Sequence, residues 1–125
     1  LITHKRMYRN QAGNTAQNPI LNSIGADVQE NYIAVNADTA KSLGIKDGDV
    51  VVVESRVGKA KGKAKLTQGI RPDTIAVSYH HGHWSLGFPD YAKKGTWINQ
   101  ALELHPDRIS GMNSFNDTKC KLYRA

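Results

Sequence analysis

Five consecutive residues, His80-His81-Gly82-His83-Trp84, concentrate more versatile chemistry than any other stretch of this 125-residue chain. Imidazoles ligate zinc, move protons near neutral pH and hydrogen-bond to heteroaromatic rings. Structural zinc wants four convergent ligands, and no Cys or acidic residue stands close enough in sequence to complete a set. On an extended strand His81 and His83 would share one face and His80 the other. The run also suits a loop whose imidazoles and indole N–H contact an aromatic, hydrogen-bonding ligand, with Gly82 permitting close backbone approach. The competing reading buries Trp84 in the core and turns the histidines to solvent.

The opening of the chain offers a second set of polar groups. Residues 1–26 carry Lys5, Arg6 and Arg9 but no acid, and Arg9 to Pro19 is rich in Asn, Gln, Gly and Thr. Amide side chains present a donor and an acceptor side by side. The stretch reads as a long polar loop, which a compact domain keeps when it is functional or disordered. A comb of lysines (Lys59, Lys61, Lys63, Lys65) suggests nucleic acid at first sight. No aromatic residue interleaves with it, whereas single-strand binding needs stacking platforms, so it reads as a solvated strand face that discourages edge pairing. Cys120, flanked by Lys119 and Lys121, reads as inert packing. No nucleophile elbow, phosphate loop or paired carboxylates occur, so no catalytic residue and no metal ligand is assigned.

The elements that must position these groups are legible in the middle of the chain. Residues 31–35 (Asn-Tyr-Ile-Ala-Val) form a β run. Asn36 then caps a helix over 37–43 whose Ala37, Ala40 and Leu43 share a face, and Gly44 stops it. Asp47-Gly48-Asp49 turns into the valine strand 50–54. In 59–66 the lysines alternate with Ala60, Gly62, Ala64 and Leu66, which predicts lysines in solvent and their neighbours inside. Further strands are expected at 74–78 and 119–124, the latter with Cys120 and Leu122 inward, and a second helix or turn at 97–104. Many short strands with regular glycine turns and one intervening helix suggest a small closed β-barrel.

Composition bounds the rest. A single domain of this length buries enough surface for its own core. With 17 Lys+Arg against 11 Asp+Glu the net charge is +6, and 39% hydrophobic residues are too many for a disordered chain. One cysteine forbids an internal disulfide or a multi-thiolate cluster made by this chain alone. The longest apolar run is Val50–Val53, too short to span a membrane. The start at Leu1 without Met suggests a fragment of a larger protein.

Several blocks, in order, carry a resemblance. They are Leu1-Ile2-Thr3-His4-Lys5; Gly13, Thr15 and Asn18-Pro19-Ile20-Leu21-Asn22; the run from Val35-Asn36-Ala37 through Leu43-Gly44-Ile45-Lys46-Asp47-Gly48-Asp49 to Val53; Leu66-Thr67 with Gly69-Ile70-Arg71-Pro72; Gly82-His83-Trp84; and Gly111-Met112-Asn113. Together they resemble the C-terminal molybdopterin dinucleotide-binding domain of the dimethyl sulfoxide reductase superfamily of molybdenum/tungsten oxidoreductases, over nearly the whole chain. Ser85-Leu86-Gly87 and Asn113-Ser114-Phe115-Asn116-Asp117 look most like the thiosulfate/polysulfide, tetrathionate and arsenate reductase branch.

The resemblance implies a mainly β fold, a six-stranded double-psi β-barrel with short helices. It implies that residues 1–125 are a single domain, the C-terminal part of a larger catalytic subunit and not catalytic alone. By position it implies cofactor contacts from Thr3 and Lys5 at the end of the first strand, from Gln11, Asn14 and Thr15 in the opening loop, from His81, His83 and Trp84, and from Asn113 and Lys119. Relatives often carry Gly-Arg at His4-Lys5; lysine keeps the charge but loses the bidentate fork. His83 is expected as an exposed side chain. The implied cofactor is a molybdopterin guanine dinucleotide with Mo or W, shared with upstream domains that would also carry any iron–sulfur cluster. The implied partners are the remainder of the subunit and an electron-transfer iron–sulfur subunit, with no nucleic acid and no membrane insertion, at a periplasmic or extracytoplasmic membrane face. The alternative from another class is a free-standing double-psi barrel that docks proteins, for which the polar opening and the histidine run would be unnecessary.

Overall fold

A computed structural model describes residues 1–10, 12–28 and 31–125. Its elements in chain order are β1 (Ile2–His4), α1 (Ala12–Ala16), α2 (Pro19–Asp27), β2 (Ile33–Asn36), α3 (Ala37–Ser42), β3 (Val50–Glu54), β4 (Lys59–Thr67), β5 (Ile75–Ser78) and β6 (Lys121–Arg124), with 3₁₀ turns at Asp90–Lys93 and Ile98–Ala101. The strands form one six-stranded mixed sheet in the order β1-β5-β2-β4-β3-β6. The β1–β5 and β2–β4 pairs are parallel and the other three antiparallel. Mainly β is therefore correct. Among the described residues β1 and β6 stand at the two ends of that order with no ladder between them, so the strand pairing alone does not complete the closed barrel expected.

The central block folds as its residues dictate. Asn36 ends β2 and caps α3, its Oδ1 accepting from the N–H groups of Asp38 and Thr39 while its Nδ2 donates to Ile70 O. Gly44 follows at φ 68°, the left-handed stop a helix C-terminus favours. β4 takes the predicted register: all four lysines are exposed, Ala60 and Ala64 are buried, and Gly62 and Leu66 are half-buried. Ile33, Val35, Val51, Val53 and Val77 meet between the strands with Ile98 and Ala101 of the second 3₁₀ turn. Each such aliphatic chain contributes about 1.5–3 kcal/mol on burial. Cys120 and Leu122 pack against this core as expected.

The opening differs from its reading as a loop, because it contains α1 and α2. α2 has a local cause: the Asn18 side chain accepts from Leu21 N–H and Pro19 sits in the first turn, both favourable at a helix start. The other cause is tertiary. Arg9 is buried, and its guanidinium donates to Thr15 O at the end of α1 and to Asn22 Oδ1 in α2, both at 3.1 Å. One cation thus ties the two helices to the end of the first turn.

Candidate functional site

β1 and β5 run parallel and side by side, with His4 opposite Ser78, so the segments leaving both strands emerge at the same end of the sheet. One carries Lys5, Arg6 and Arg9, the other the histidine run. Tyr79 and His80 lie in a turn and not on a strand, so the expected alternation of the histidines does not apply. His80 is 1% exposed, its Nδ1 is 3.3 Å from Ser78 Oγ, and its ring stacks on Tyr79. His81 is also buried. His83 is half-buried and stacked on Phe88 (centroids 5.0 Å apart), not exposed as expected. Trp84 is 62% exposed, which reverses the reading that buried it and turned the histidines outward.

The electrostatics are cationic throughout. Burial pushes the His80 pKa down to about 4, helped by the charges of Arg9 and Lys5. Burial again, then Arg9, push His81 down to about 3. His4 is lowered by burial and by Arg6. These rings are therefore neutral at pH 7, each offering both a donor and an acceptor nitrogen. Because both buried histidines are depressed below the unfolded value near 6.5, the unfolded chain takes up protons that the native state refuses. Their contribution to stability is whole above pH 6.5 and is lost as pH falls towards 4. Urea midpoints should drop over that window, with each histidine adding a slope of about 1 kcal/mol per pH unit. A His81→Asn variant should show a shallower fall, and an unchanged slope would contradict this account.

Several polar atoms here are buried without a hydrogen-bond partner among the described residues: Arg6 Nε and Nη2, Thr15 Oγ1 and His80 Nε2. Among the described residues the Arg6 guanidinium donates through Nη1 to Tyr32 Oη at 2.7 Å and lies 3.9 Å over the Tyr32 ring. Unsatisfied buried groups are costly and in native proteins call for an explanation. Guanidinium, hydroxyl and neutral imidazole groups suit an anionic group with many acceptors. Among the described residues no three His, Cys, Asp or Glu side chains are arranged to hold a metal.

The residues singled out from sequence distribute unevenly. Lys5 is exposed beside the cluster, its charge felt by His80. Asn14 is exposed on α1, and Thr15 lies beside it. Thr3 donates through its N–H to Asn116 Oδ1 (2.8 Å), which fastens the end of β1 to the turn that carries Asn113. Asn113 itself accepts from His105 N–H and is bridged to Pro106. Lys119 lines a different cavity of about 630 Å³ beside Glu103 and Cys120. Gln11 lies outside the described residues. Arg6, Arg9 and His80 stood out in the sequence, in the acid-free basic stretch and the histidine run, but were not assigned as contacts.

A family model for the molydopterin dinucleotide binding domain matches residues 1–119. The chain is 32% identical over 125 residues to the arsenate respiratory reductase molybdopterin-containing subunit of Shewanella sp. strain ANA-3, covering 92% of this chain and 15% of that protein. It is 43% identical over 65 residues to the thiosulfate reductase molybdopterin-containing subunit of Salmonella typhimurium, 52% of this chain and 8% of that one. In fold it is similar to acetylene hydratase from Pelobacter acetylenicus, with a TM-score of 0.74 and 21% identity over 99% of this chain and 18% of that structure. It spans, then, a small part of the length of the proteins it matches. With the family model covering nearly all of it, the chain belongs to the molybdopterin dinucleotide-binding domains of the dimethyl sulfoxide reductase family of molybdenum oxidoreductases.

Proposed function

We propose that this domain holds part of a bis(molybdopterin guanine dinucleotide) cofactor, carrying Mo or W, in the catalytic subunit of an oxidoreductase of the thiosulfate/polysulfide, tetrathionate or arsenate reductase type. The observation that carries the reading is the set of orphaned polar groups, on Arg6, Thr15 and His80, carried by the segments that leave β1 and β5 at the same end of the sheet. When bound, the cofactor supplies the electron and oxo-group chemistry, and the protein's share is binding, orientation and electrostatic tuning. Lys5, Arg6 and Arg9 offset phosphate charge. Thr15 and neighbouring backbone hold phosphate oxygens, neutral His81 and the half-buried His83 meet heterocycle edges, and exposed Trp84 covers a ring face. Thr3, Gln11, Asn14 and Asn113 contribute the amide and hydroxyl contacts of the same ligand, with Lys119 at its periphery. In this reading residues 1–125 are the C-terminal domain of the subunit. The Leu1 N–H to Thr118 O bond (3.0 Å) and the Thr3–Asn116 bond draw β1 towards the approach to β6, which supports closure into a double-psi barrel. An iron–sulfur electron-transfer subunit is the expected partner, at an extracytoplasmic membrane face.

Thr15→Val tests the reading, because it removes the unpartnered hydroxyl while keeping the side chain's shape. Stability of the cofactor-free protein should stay level or rise, since no protein hydrogen bond is lost. Pterin retained after gel filtration of the full-length subunit should fall, with affinity down about tenfold for one hydrogen bond to a charged group. Lower stability with unchanged pterin would instead make Thr15 a packing residue.

A further inference from the structure

The cofactor reading gives no role to the comb of lysines on β4. Lys61, Lys63 and Lys65 line a groove of about 1090 Å³ together with Lys94 and with Pro19, Asn22 and Ala26 of α2. α2 packs on α1 and on the 3₁₀ turn Asp90–Lys93. Among the described residues Lys61, Lys63, Lys65 and Lys94 line it with the carboxylates Asp27 and Asp47, while Arg9, His80 and His81, which belong to the site described above, line its remaining part. Lys65 reaches Asp47 only at 4.0 Å, and Lys61 and Lys63 have no ion pair among the described residues. Lys59, which does not line the groove, is the comb member paired closely within the domain, to Glu54 at 3.1 Å. The second cavity is balanced by comparison, with Arg56, Lys119 and Lys121 facing Glu54, Glu103 and Asp117.

We propose that this groove receives an acidic polypeptide segment from the remainder of the catalytic subunit, an inference that rests on the reading of the chain as one domain of a longer protein. The matched relatives supply the length: this chain covers 15% of one and 8% of another. Charge and spacing supply the rest. Lysines at alternate strand positions repeat at roughly 6.6 Å, the repeat of alternate side chains in an extended segment laid alongside. Lysines on flexible stems do not form the fixed fork that a single small anion selects, whereas several carboxylates on one chain engage them together. The groove's apolar members, among them Val28, Val50 and Ala92, accept the segment's intervening side chains.

The test is zero-length carbodiimide coupling of lysines to carboxylates in the full-length subunit, read by mass spectrometry, with and without bound cofactor. The expected result is links from Lys61, Lys63 or Lys65 to Asp or Glu outside residues 1–125 of the same chain in both states. Lys61→Glu combined with Lys63→Glu should abolish those links and lower the melting temperature of the subunit by several degrees. Links confined to Asp27 and Asp47, links only to another subunit, or three lysines acetylated as readily as exposed Lys46 would each overturn the proposal. Pterin content is measured on the same samples. A loaded subunit without links defeats the groove alone, and links in a subunit that never binds pterin defeat the cofactor reading alone.

Discussion

Gly82→Ala should destabilise the domain by about 3 kcal/mol and displace the histidine loop. Gly82 sits at φ 71°, in the left-handed region that costs an L side chain about 1–2 kcal/mol. A Cβ there would lie 2.7 Å from both the Cβ and the backbone N of Trp97 and 2.9 Å from its Cα, and backbone cannot yield as a flexible side chain does. Forcing such a contact adds about 1–3 kcal/mol of overpacking. The loop has little room to adjust, because Gly82 N–H donates to Lys94 O and His83 N–H to Ala92 O, which seam it to the 92–94 segment. Urea denaturation measures the loss, and in the full-length subunit retained pterin should fall with it. Gly87→Ala is the control, with nothing within 4 Å of its added Cβ and an expected change under about 0.5 kcal/mol. Equal effects at the two positions would refute the packing argument.

The second large effect is expected at Arg6, where stability and ligand binding should separate. Its Nη1 is engaged by Tyr32, while Nε and Nη2 are buried without a hydrogen-bond partner among the described residues. A guanidinium held that way is costly in the empty protein and rewarded only when an anion arrives. Arg6→Met should therefore change the stability of the cofactor-free protein by no more than about 1 kcal/mol, the lost Tyr32 contacts offsetting the relieved desolvation. Cofactor affinity should fall by about 1.5–3 kcal/mol, roughly 10- to 100-fold, seen as pterin lost on dilution of the full-length subunit. Arg6→Lys should fall between the two, keeping the charge without the planar fork. Full pterin retention in Arg6→Met would remove Arg6 from the site.

What the sequence determined by itself was whatever depends on neighbours along the chain. The Asn36 cap, the α3 stop at Gly44, the valine strand and the alternation of 59–66 are local rules of period and capping, and each lies where the residues demanded. Residues matched block by block also sufficed to name the family. The tertiary structure decided the rest, because it depends on which segments meet. The helices in residues 1–26 were missed although Asn18-Pro19 is a helix start, since five-residue α1 has too few turns to show a period and is held by Arg9 from outside. The histidine run was open to a strand or a loop reading, and the chain turns after Ser78, burying His80 and His81 while leaving Trp84 outside. Arg6 joined the candidate site only once the parallel pairing of β1 with β5 brought the opening bases beside those histidines. A sequence shows which side chains can donate, but whether a donor is buried without an acceptor is settled by packing between segments tens of residues apart, and that is what exposes this site.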